Sequence, residues 1–240
     1  MPIILFDLHN TLADPTLVRA AYRRGLGQVM AARYGGSAQA WAEASRAIVA
    51  DWDSYAADLD LSGDEGYADY QELMLRTTRA LFRLLGQPYP AASELVTLTR
   101  ELPALAVQHG GQDTLYADSA PTLRALHQGG WRLGTASNAA ANQVCVTLEQ
   151  GGVLSLFDPA LLMGSDTLER WEKDTVFWER AWQRSGTPNQ GWVVESEARY
   201  VDWAADAGWR AVQIVRKPRA LAQRAVHIVH SLPELLTLLA

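Results

Sequence analysis

Residues 3–11 of this chain read IILFDLHNT, a short apolar run that ends in an acid and is followed by polar residues. An apolar run of this length without polar alternation is typical of a buried strand in a parallel sheet. Such sheets bind their ligands beyond the carboxyl ends of the strands. The stretch therefore predicts a first strand that ends beside Asp7, and it makes Asp7, His9 and Thr11 candidate functional residues.

A helical pattern follows this strand, between residues 15 and 105. Apolar residues recur there at helical spacing, for example at Trp41, Ala44 and Ile48. Turn-forming pairs such as Gly35-Gly36 and Gln87-Pro88 divide the segments. No alternating β-branched run interrupts them, so the pattern predicts helical hairpins throughout this range.

Beyond residue 110 the pattern changes to alternating strands and helices. The strands are predicted at Trp131–Ala136, Phe157–Met163, Trp192–Val194, Ala211–Val215 and Val226–Val229. Strands and helices that alternate at this pace predict an α/β fold with a doubly wound parallel sheet. We expect residues 1–14 and 106–240 to form this core domain, with residues 15–105 inserted as a helical domain.

Composition excludes several classes of protein. Of 240 residues 48% are hydrophobic and 20% are charged, as in globular proteins. The net charge of −6 argues against a nucleic-acid partner. The single cysteine, Cys145, permits no internal disulfide, and no apolar run is long enough to span a membrane. We expect a cytoplasmic protein that acts on a small molecule as a monomer or homodimer.

Polar side chains follow several of the predicted strands. Asp7 ends the first strand, Ser137-Asn138 follow the second, and Glu195 ends the strand at residues 192–194, with Lys173 in a polar stretch before a helix. Two acids, a hydroxyl and a lysine at one sheet edge suit phosphoryl transfer through an aspartyl intermediate. A divalent metal between the carboxylates would support that chemistry.

Four stretches resemble the motifs of the haloacid dehalogenase-like hydrolase superfamily. They are FDLHNTL at residues 6–12, LGTASN at 133–138, WEK ahead of FWERA at 171–181, and VVES leading to ADAGW at 193–209. The resemblance covers nearly the whole chain. It implies a Rossmann-like core with a helical cap domain inserted after the first strand.

The resemblance also implies the chemistry of the predicted site. It implies that Asp7 is the nucleophile, and that His9 and Lys173 are catalytic. It further implies a Mg²⁺ cofactor held by Asp7, the backbone carbonyl of His9 and Glu195. The activity expected from it is that of a phosphatase acting on a small soluble phosphate metabolite.

Three further residues are implied to bind the substrate: Thr11, Ser137 and Asn138. A serine and backbone N–H groups at the start of a helix bind phosphate oxygens well. Ser137 also stands where it would cap the helix predicted from Ala139 onward.

The chain departs from the family pattern at several positions. The second aspartate of the first motif is His9, and the Gly-Asp pair of the fourth motif is Val194-Glu195. The further acid usual in the fourth motif falls on Tyr200. The third motif lacks its proline after the lysine, so a slip of one residue would put Glu172 in the place of Lys173.

These departures leave two alternatives to the phosphatase. In a metal-independent 2-haloacid dehalogenase of the same superfamily, Asp7 would attack a carbon that bears a halide, and no acid would be needed at residue 9. In a catalytically impaired binding protein, His9 and Glu195 would mark a degenerate site.

Overall fold

The structure is a computed structural model that describes residues 1–111, 113–186 and 191–239. The chain divides into two compact units, one formed by Met1–Pro15 with Asp113–Ala240 and the other by Thr16–Gln112. Among the described residues, no helix is long and apolar enough to cross a membrane.

The first unit is built on a six-stranded sheet. Its strands are β1 Ile3–Phe6, β2 Arg132–Ala136, β3 Phe157–Met163, β4 Gly191–Glu195, β5 Arg210–Ile214 and β6 His227–Val229. All neighbouring strands are parallel, in the order β3-β2-β1-β4-β5-β6. The prediction of a doubly wound parallel α/β sheet is confirmed. The two buried strands β1 and β4 are paired at the centre of this order, as their continuous apolar runs predict.

Helices separate the strands along the chain, except that β6 follows β5 without one. Within this unit they are α6 Ser119–Gln128, α7 Ala141–Gln150, α8 Ser165–Leu168, α9 Thr175–Ser185, α10 Ala198–Asp206 and α11 Glu234–Leu238. Helix α7 begins two residues later than predicted. The side chain of Ser137 accepts the N–H of Ala139, and Asp166 accepts the N–H of Ala141, so the intervening residues form a turn.

The core of the first unit lies where α9 and α10 pack on the sheet. The largest buried side chains of this cluster are Phe177, Trp178 and Trp209. The Nε1 of Trp209 donates to the carbonyl of Trp178 at 3.1 Å, which satisfies a polar group that burial would otherwise leave unpaired. This packing fixes the position at which α9 begins, directly after Lys173 and Asp174.

The regular elements described in the second unit are all helices, joined by loops. Its helices are α1 Pro15–Tyr34, α2 Ala38–Ala50, α3 Trp52–Ala56, α4 Gly66–Leu84 and α5 Ala92–Gly110. Helix α5 continues five residues beyond 105, where the sequence pattern placed the end of the insert. It ends at Gly111, which has a φ of 57°, a left-handed conformation that glycine adopts without strain.

Aromatic side chains and close helix contacts form the core of the helical unit. The rings of Trp41 and Phe82 pack edge to face with centroids 5.3 Å apart. Helices α1 and α5 approach closely at Gly25, where a Cβ atom would lie 1.8 Å from the carbonyl oxygen of Ala106. Only glycine fits there, which accounts for a glycine inside a long helix.

Candidate active site

The site residues of the first unit lie at the carboxyl edge of the sheet. Phe6 pairs with Thr135 of β2 and with Val194 of β4, so the chain leaves these three strands at adjacent positions. Asp7 continues the pairing, since its N–H donates to the carbonyl of Val194 at 2.9 Å. The parallel register thus brings Asp7 and Glu195 to the same end of neighbouring strands.

A lysine joins the two acids. Lys173 Nζ lies 2.5 Å from Asp7 Oδ1 and 2.6 Å from Glu195 Oε2. The three side chains are buried, with relative exposures of the residues between 1% and 6%. Buried charges are tolerated only when they are paired and hydrogen-bonded, and each of these three is. The lysine therefore orients one oxygen of each carboxylate.

The charges of this cluster shift its pKa values. Burial lowers the pKa of Lys173, but the adjacent charges of Asp7 and Glu195 outweigh burial and raise that pKa to about 12. The pKa of Glu195 is raised, chiefly by burial and then by the charge of Asp7, against the opposing effect of Lys173. Lys173 is consequently a permanent cation at neutral pH.

Glu195 also receives hydrogen bonds from the backbone. Its Oε1 accepts the N–H of Ser196 at 2.6 Å and of Glu197 at 3.0 Å. These donors precede α10, so the carboxylate is hydrogen-bonded to the backbone of the two residues that follow it. Its other oxygen, Oε2, accepts from Lys173, so both carboxylate oxygens of Glu195 are hydrogen-bonded.

The register of the third motif follows from the start of α9. Asp174 is its N-cap and accepts the N–H of Phe177 at 3.1 Å. Lys173, directly before the cap, is the residue that reaches Asp7. Glu172 instead lies 3.4 Å from Arg199, away from that contact. The alternative register, with Glu172 in the place of Lys173, does not occur in the structure.

Two aromatic rings flank Lys173, and sequence reasoning missed them. The ring centroids of Trp178 and Tyr200 lie 5.8 and 5.7 Å from its Nζ. Tyr200, in the place of the family's further acid, also faces the guanidinium of Arg199 at 4.8 Å. Cations are attracted to the faces of aromatic rings, so these rings stabilise the lysine without adding negative charge.

The second strand contributes Ser137 and Asn138. Ser137 is buried, and its hydroxyl accepts the N–H of Ala139 at 3.2 Å, which leaves the hydroxyl proton for another acceptor. Asn138 donates to the carbonyl of Trp171, two residues before Lys173. This hydrogen bond connects Asn138 to the segment that carries the lysine. The position of Asn138 in the sequence did not indicate that role.

The loop after β1 carries Thr11 and His9. Thr11 is buried, and within residues 1–111, 113–186 and 191–239 its hydroxyl has no hydrogen-bond partner. A buried hydroxyl without a partner has a proton that it can donate to a ligand. His9 is half-buried two residues after Asp7.

A divalent cation is consistent with the oxygens at this site. None of the described residues donates to Oδ2 of Asp7, and Oε2 of Glu195 accepts only from Lys173 within the same part of the chain. Carboxylate and carbonyl oxygens are the ligands that Mg²⁺ prefers. No cluster of three or more His, Cys, Asp or Glu side chains suited to a metal occurs in the described ranges, so backbone carbonyls and water would complete the coordination.

Comparison with known proteins gives one family match. The family model "Hydrolase: haloacid dehalogenase-like hydrolase" matches residues 1–208. No curated protein matches the chain.

Solved structures with the same fold include enzymes of more than one kind. A dehalogenase is 22% identical with a TM-score of 0.59, covering 100% of this chain and 97% of its own. A HAD phosphatase from Thermococcus onnurineus is 20% identical with a TM-score of 0.61, covering 100% and 98%. The magnesium-bound putative HAD-hydrolase YfnB from Bacillus subtilis is 14% identical with a TM-score of 0.64, covering 99% and 98%. At these identities the likeness shows the fold alone.

Proposed function

The chain belongs to the haloacid dehalogenase-like hydrolase family, and on this premise we propose that it is a phosphatase that hydrolyses a small phosphate ester. The observation that carries the proposal is the contact of Lys173 with both Asp7 and Glu195. It orients the carboxylate of Asp7 and supplies a cation beside the position of an anionic phosphate.

The first step is attack by Asp7. Its Oδ2, which none of the described residues engages, forms a bond to phosphorus while the bond from phosphorus to the leaving oxygen breaks. The hydroxyls of Thr11 and Ser137 donate to the other phosphate oxygens. The leaving oxygen takes a proton from His9, and the alcohol departs.

The second step regenerates the enzyme. His9, now neutral, accepts a proton from water, and the water oxygen attacks phosphorus as the bond to Asp7 breaks. Inorganic phosphate and the free carboxylate of Asp7 result. Histidine suits this exchange because it gains and loses a proton near neutral pH.

Asp7, Glu195 and the backbone carbonyl of His9 would hold Mg²⁺. Bound there, the ion would supply positive charge to the phosphate oxygens. Lys173 supplies part of that charge from the protein itself, since its ammonium contacts both carboxylates.

The same contact favours a second candidate, a metal-independent dehalogenase. The single positive charge of Lys173 offsets one of the two carboxylate charges, which would let Asp7 attack a carbon that bears a halide without a metal. The halide leaves without a proton, so this reaction would use His9 only to accept a proton from water when the ester of Asp7 is hydrolysed, whereas the phosphatase uses His9 in both steps. The half-buried imidazole two residues from Asp7 therefore favours the phosphatase.

A parallel assay tests the two reactions. The purified protein is incubated with a panel of phosphate monoesters and with short 2-haloacids, each with Mg²⁺ and with a chelator. We expect phosphate release that depends on Mg²⁺ and no halide release. Halide release insensitive to the chelator would contradict the phosphatase, and turnover of neither panel would favour a binding protein with a degenerate site.

We also propose the localisation, oligomeric state and partners that the composition predicts. The protein acts in the cytoplasm as a monomer or homodimer, without a nucleic-acid or membrane partner. Sedimentation of the purified protein measures the oligomeric state directly.

A further inference from the structure

Arg216 contacts the backbone of the loop that follows Asp7. It lies two residues after the end of β5, and its Nε and Nη2 donate to the carbonyl oxygen of Thr11 at 3.1 and 2.9 Å. The two residues are 205 positions apart in the chain. A guanidinium that engages one carbonyl with two N–H groups restricts both the position and the orientation of that peptide.

The guanidinium is itself held on two sides. Its Nη1 and Nη2 donate to the two oxygens of Asp118 at 3.1 and 2.9 Å, and its Cζ lies 3.9 Å from the ring centroid of Tyr116. Asp118 also accepts the N–H of Leu232 at 3.0 Å. The Arg216 side chain is 11% exposed, so these contacts are largely shielded from water.

Neighbouring carbonyls of the loop are also fixed. The carbonyl of Leu8 accepts the N–H groups of Leu12 and Ala13 at 2.9 and 2.8 Å. The carbonyl of Leu12 accepts the N–H of Tyr116 and the hydroxyl of Ser119 at 2.9 and 2.7 Å. Arg216 thus completes the fixation of a loop whose Thr11 hydroxyl is buried and has no partner in the described part of the chain.

We infer that Arg216 is a positioning residue that sets the Thr11 hydroxyl for the substrate by holding the Thr11 carbonyl. The inference rests on the proposed function, in which that hydroxyl donates to a phosphate oxygen. Loss of the guanidinium leaves the carbonyl of Thr11 and the carboxylate of Asp118 without their donors. The loop then has freedom to move, and small displacements of a catalytic group are costly in rate.

A double-mutant cycle tests this inference with para-nitrophenyl phosphate and Mg²⁺. Arg216→Gln is expected to lower kcat by about 10- to 100-fold, with little change in KM. In a Thr11→Val background, where the hydroxyl is absent, Arg216→Gln should have an effect of less than about twofold. Equal effects in both backgrounds would overturn the inference, because a purely structural role would act independently of the hydroxyl.

Two further variants test whether Arg216→Gln loses activity merely because its fold is destabilised. Arg216→Lys keeps the charge beside Asp118 and one donor for Thr11, so it should lie between wild type and Arg216→Gln. Arg132→Gln is the matched control, because it breaks another arginine–carboxylate pair of the same unit, with Asp158 at 2.6 Å. Wild-type kcat in Arg132→Gln is expected. A loss of kcat there equal to that of Arg216→Gln would overturn the inference.

Amide hydrogen exchange gives a readout that does not depend on the reaction. Arg216→Gln should speed exchange at the amides of Leu12 and Ala13, whereas Arg132→Gln should not. If wild type hydrolyses no phosphate ester but this difference appears, the proposed function fails while the positioning of the loop stands. Unchanged exchange at both amides in Arg216→Gln would overturn the inference even in an active phosphatase.

Discussion

Lys173 Nζ lies 2.5 Å from Oδ1 of Asp7, although the two residues are 166 positions apart. The contact defines the site, because it joins the end of the first strand to the segment that precedes α9. A short, buried, charge-assisted hydrogen bond of this kind fixes the orientation of a carboxylate. The predictions below concern this pair, residues in contact with it, and His9, two residues after Asp7.

Removal of the lysine should destabilise the fold in a pH-dependent way. Lys173→Met leaves Asp7 and Glu195 buried without a cation, and loss of one partner of such a pair costs about 3–5 kcal/mol. Burial already raises the pKa of Glu195, and loss of Lys173 removes the opposing effect. Carboxyl groups with raised pKa values in the folded state stabilise it at low pH, and that contribution is lost as the pH rises.

The free energy of unfolding that Lys173→Met loses relative to wild type should therefore be larger at about pH 8 than at about pH 5, as measured by urea unfolding. Lys217→Met is the matched control, since Lys217 is exposed and is the other lysine of the chain. Its effect should stay within about 0.5 kcal/mol. A deficit in Lys173→Met that is equal at both pH values would contradict the charge pairing.

An acid at residue 200 should strengthen metal binding. Tyr200→Asp restores the family pattern and adds a carboxylate near Lys173, where the present ring adds no charge. We expect the affinity for Mg²⁺ to rise by about tenfold or more, because another negative charge attracts the dication. Titration calorimetry of both proteins with MgCl₂ measures the difference.

Tyr200→Phe is the control for the tyrosine. It keeps the ring and loses only the hydroxyl, which accepts from Arg199 at 3.0 Å. Its affinity for Mg²⁺ should match that of wild type. Identical affinities in wild type and Tyr200→Asp would show that the cation binds elsewhere.

The pH profile of phosphate hydrolysis should depend on residue 9. An imidazole ordinarily titrates near neutral pH and a carboxylic acid about two units lower. His9→Asp should therefore retain activity with an optimum at lower pH, and His9→Ala should lose about 10²- to 10⁴-fold in kcat. Rates measured from about pH 5 to about pH 9 in the three proteins test this expectation. Full activity in His9→Ala would refute the proton-transfer role.

The sheet and the strand-end acids were predictable because local patterns encode them. A short apolar run that ends in a polar residue indicates both a buried parallel strand and the edge at which it ends. Asp7 and Glu195 follow from that pattern alone. Lys173 was also a candidate from its polar stretch before a helix, but the third motif left its register open, and the N-cap at Asp174 fixes that register.

Other contacts between distant side chains were not predictable. Arg216 is one of many arginines, and nothing near it in the sequence indicates that it reaches Thr11. Trp178 follows Lys173 by five residues, and Tyr200 follows Glu195 by five. Whether their rings face Lys173 depends on how α9 and α10 pack. Such contacts are set by tertiary packing, and a single sequence carries no local signal for them.

In the proposed mechanism Asp7 becomes covalently modified during turnover. The most direct measurement stops para-nitrophenyl phosphate hydrolysis with acid in the steady state and maps phosphorylated peptides by mass spectrometry. The proposed mechanism predicts a phosphoryl group on Asp7 in wild type and none in Asp7→Asn. The kcat of Asp7→Asn should fall by roughly 10³-fold or more. Hydrolysis by Asp7→Asn at the wild-type rate, with no modified peptide in either protein, would contradict it.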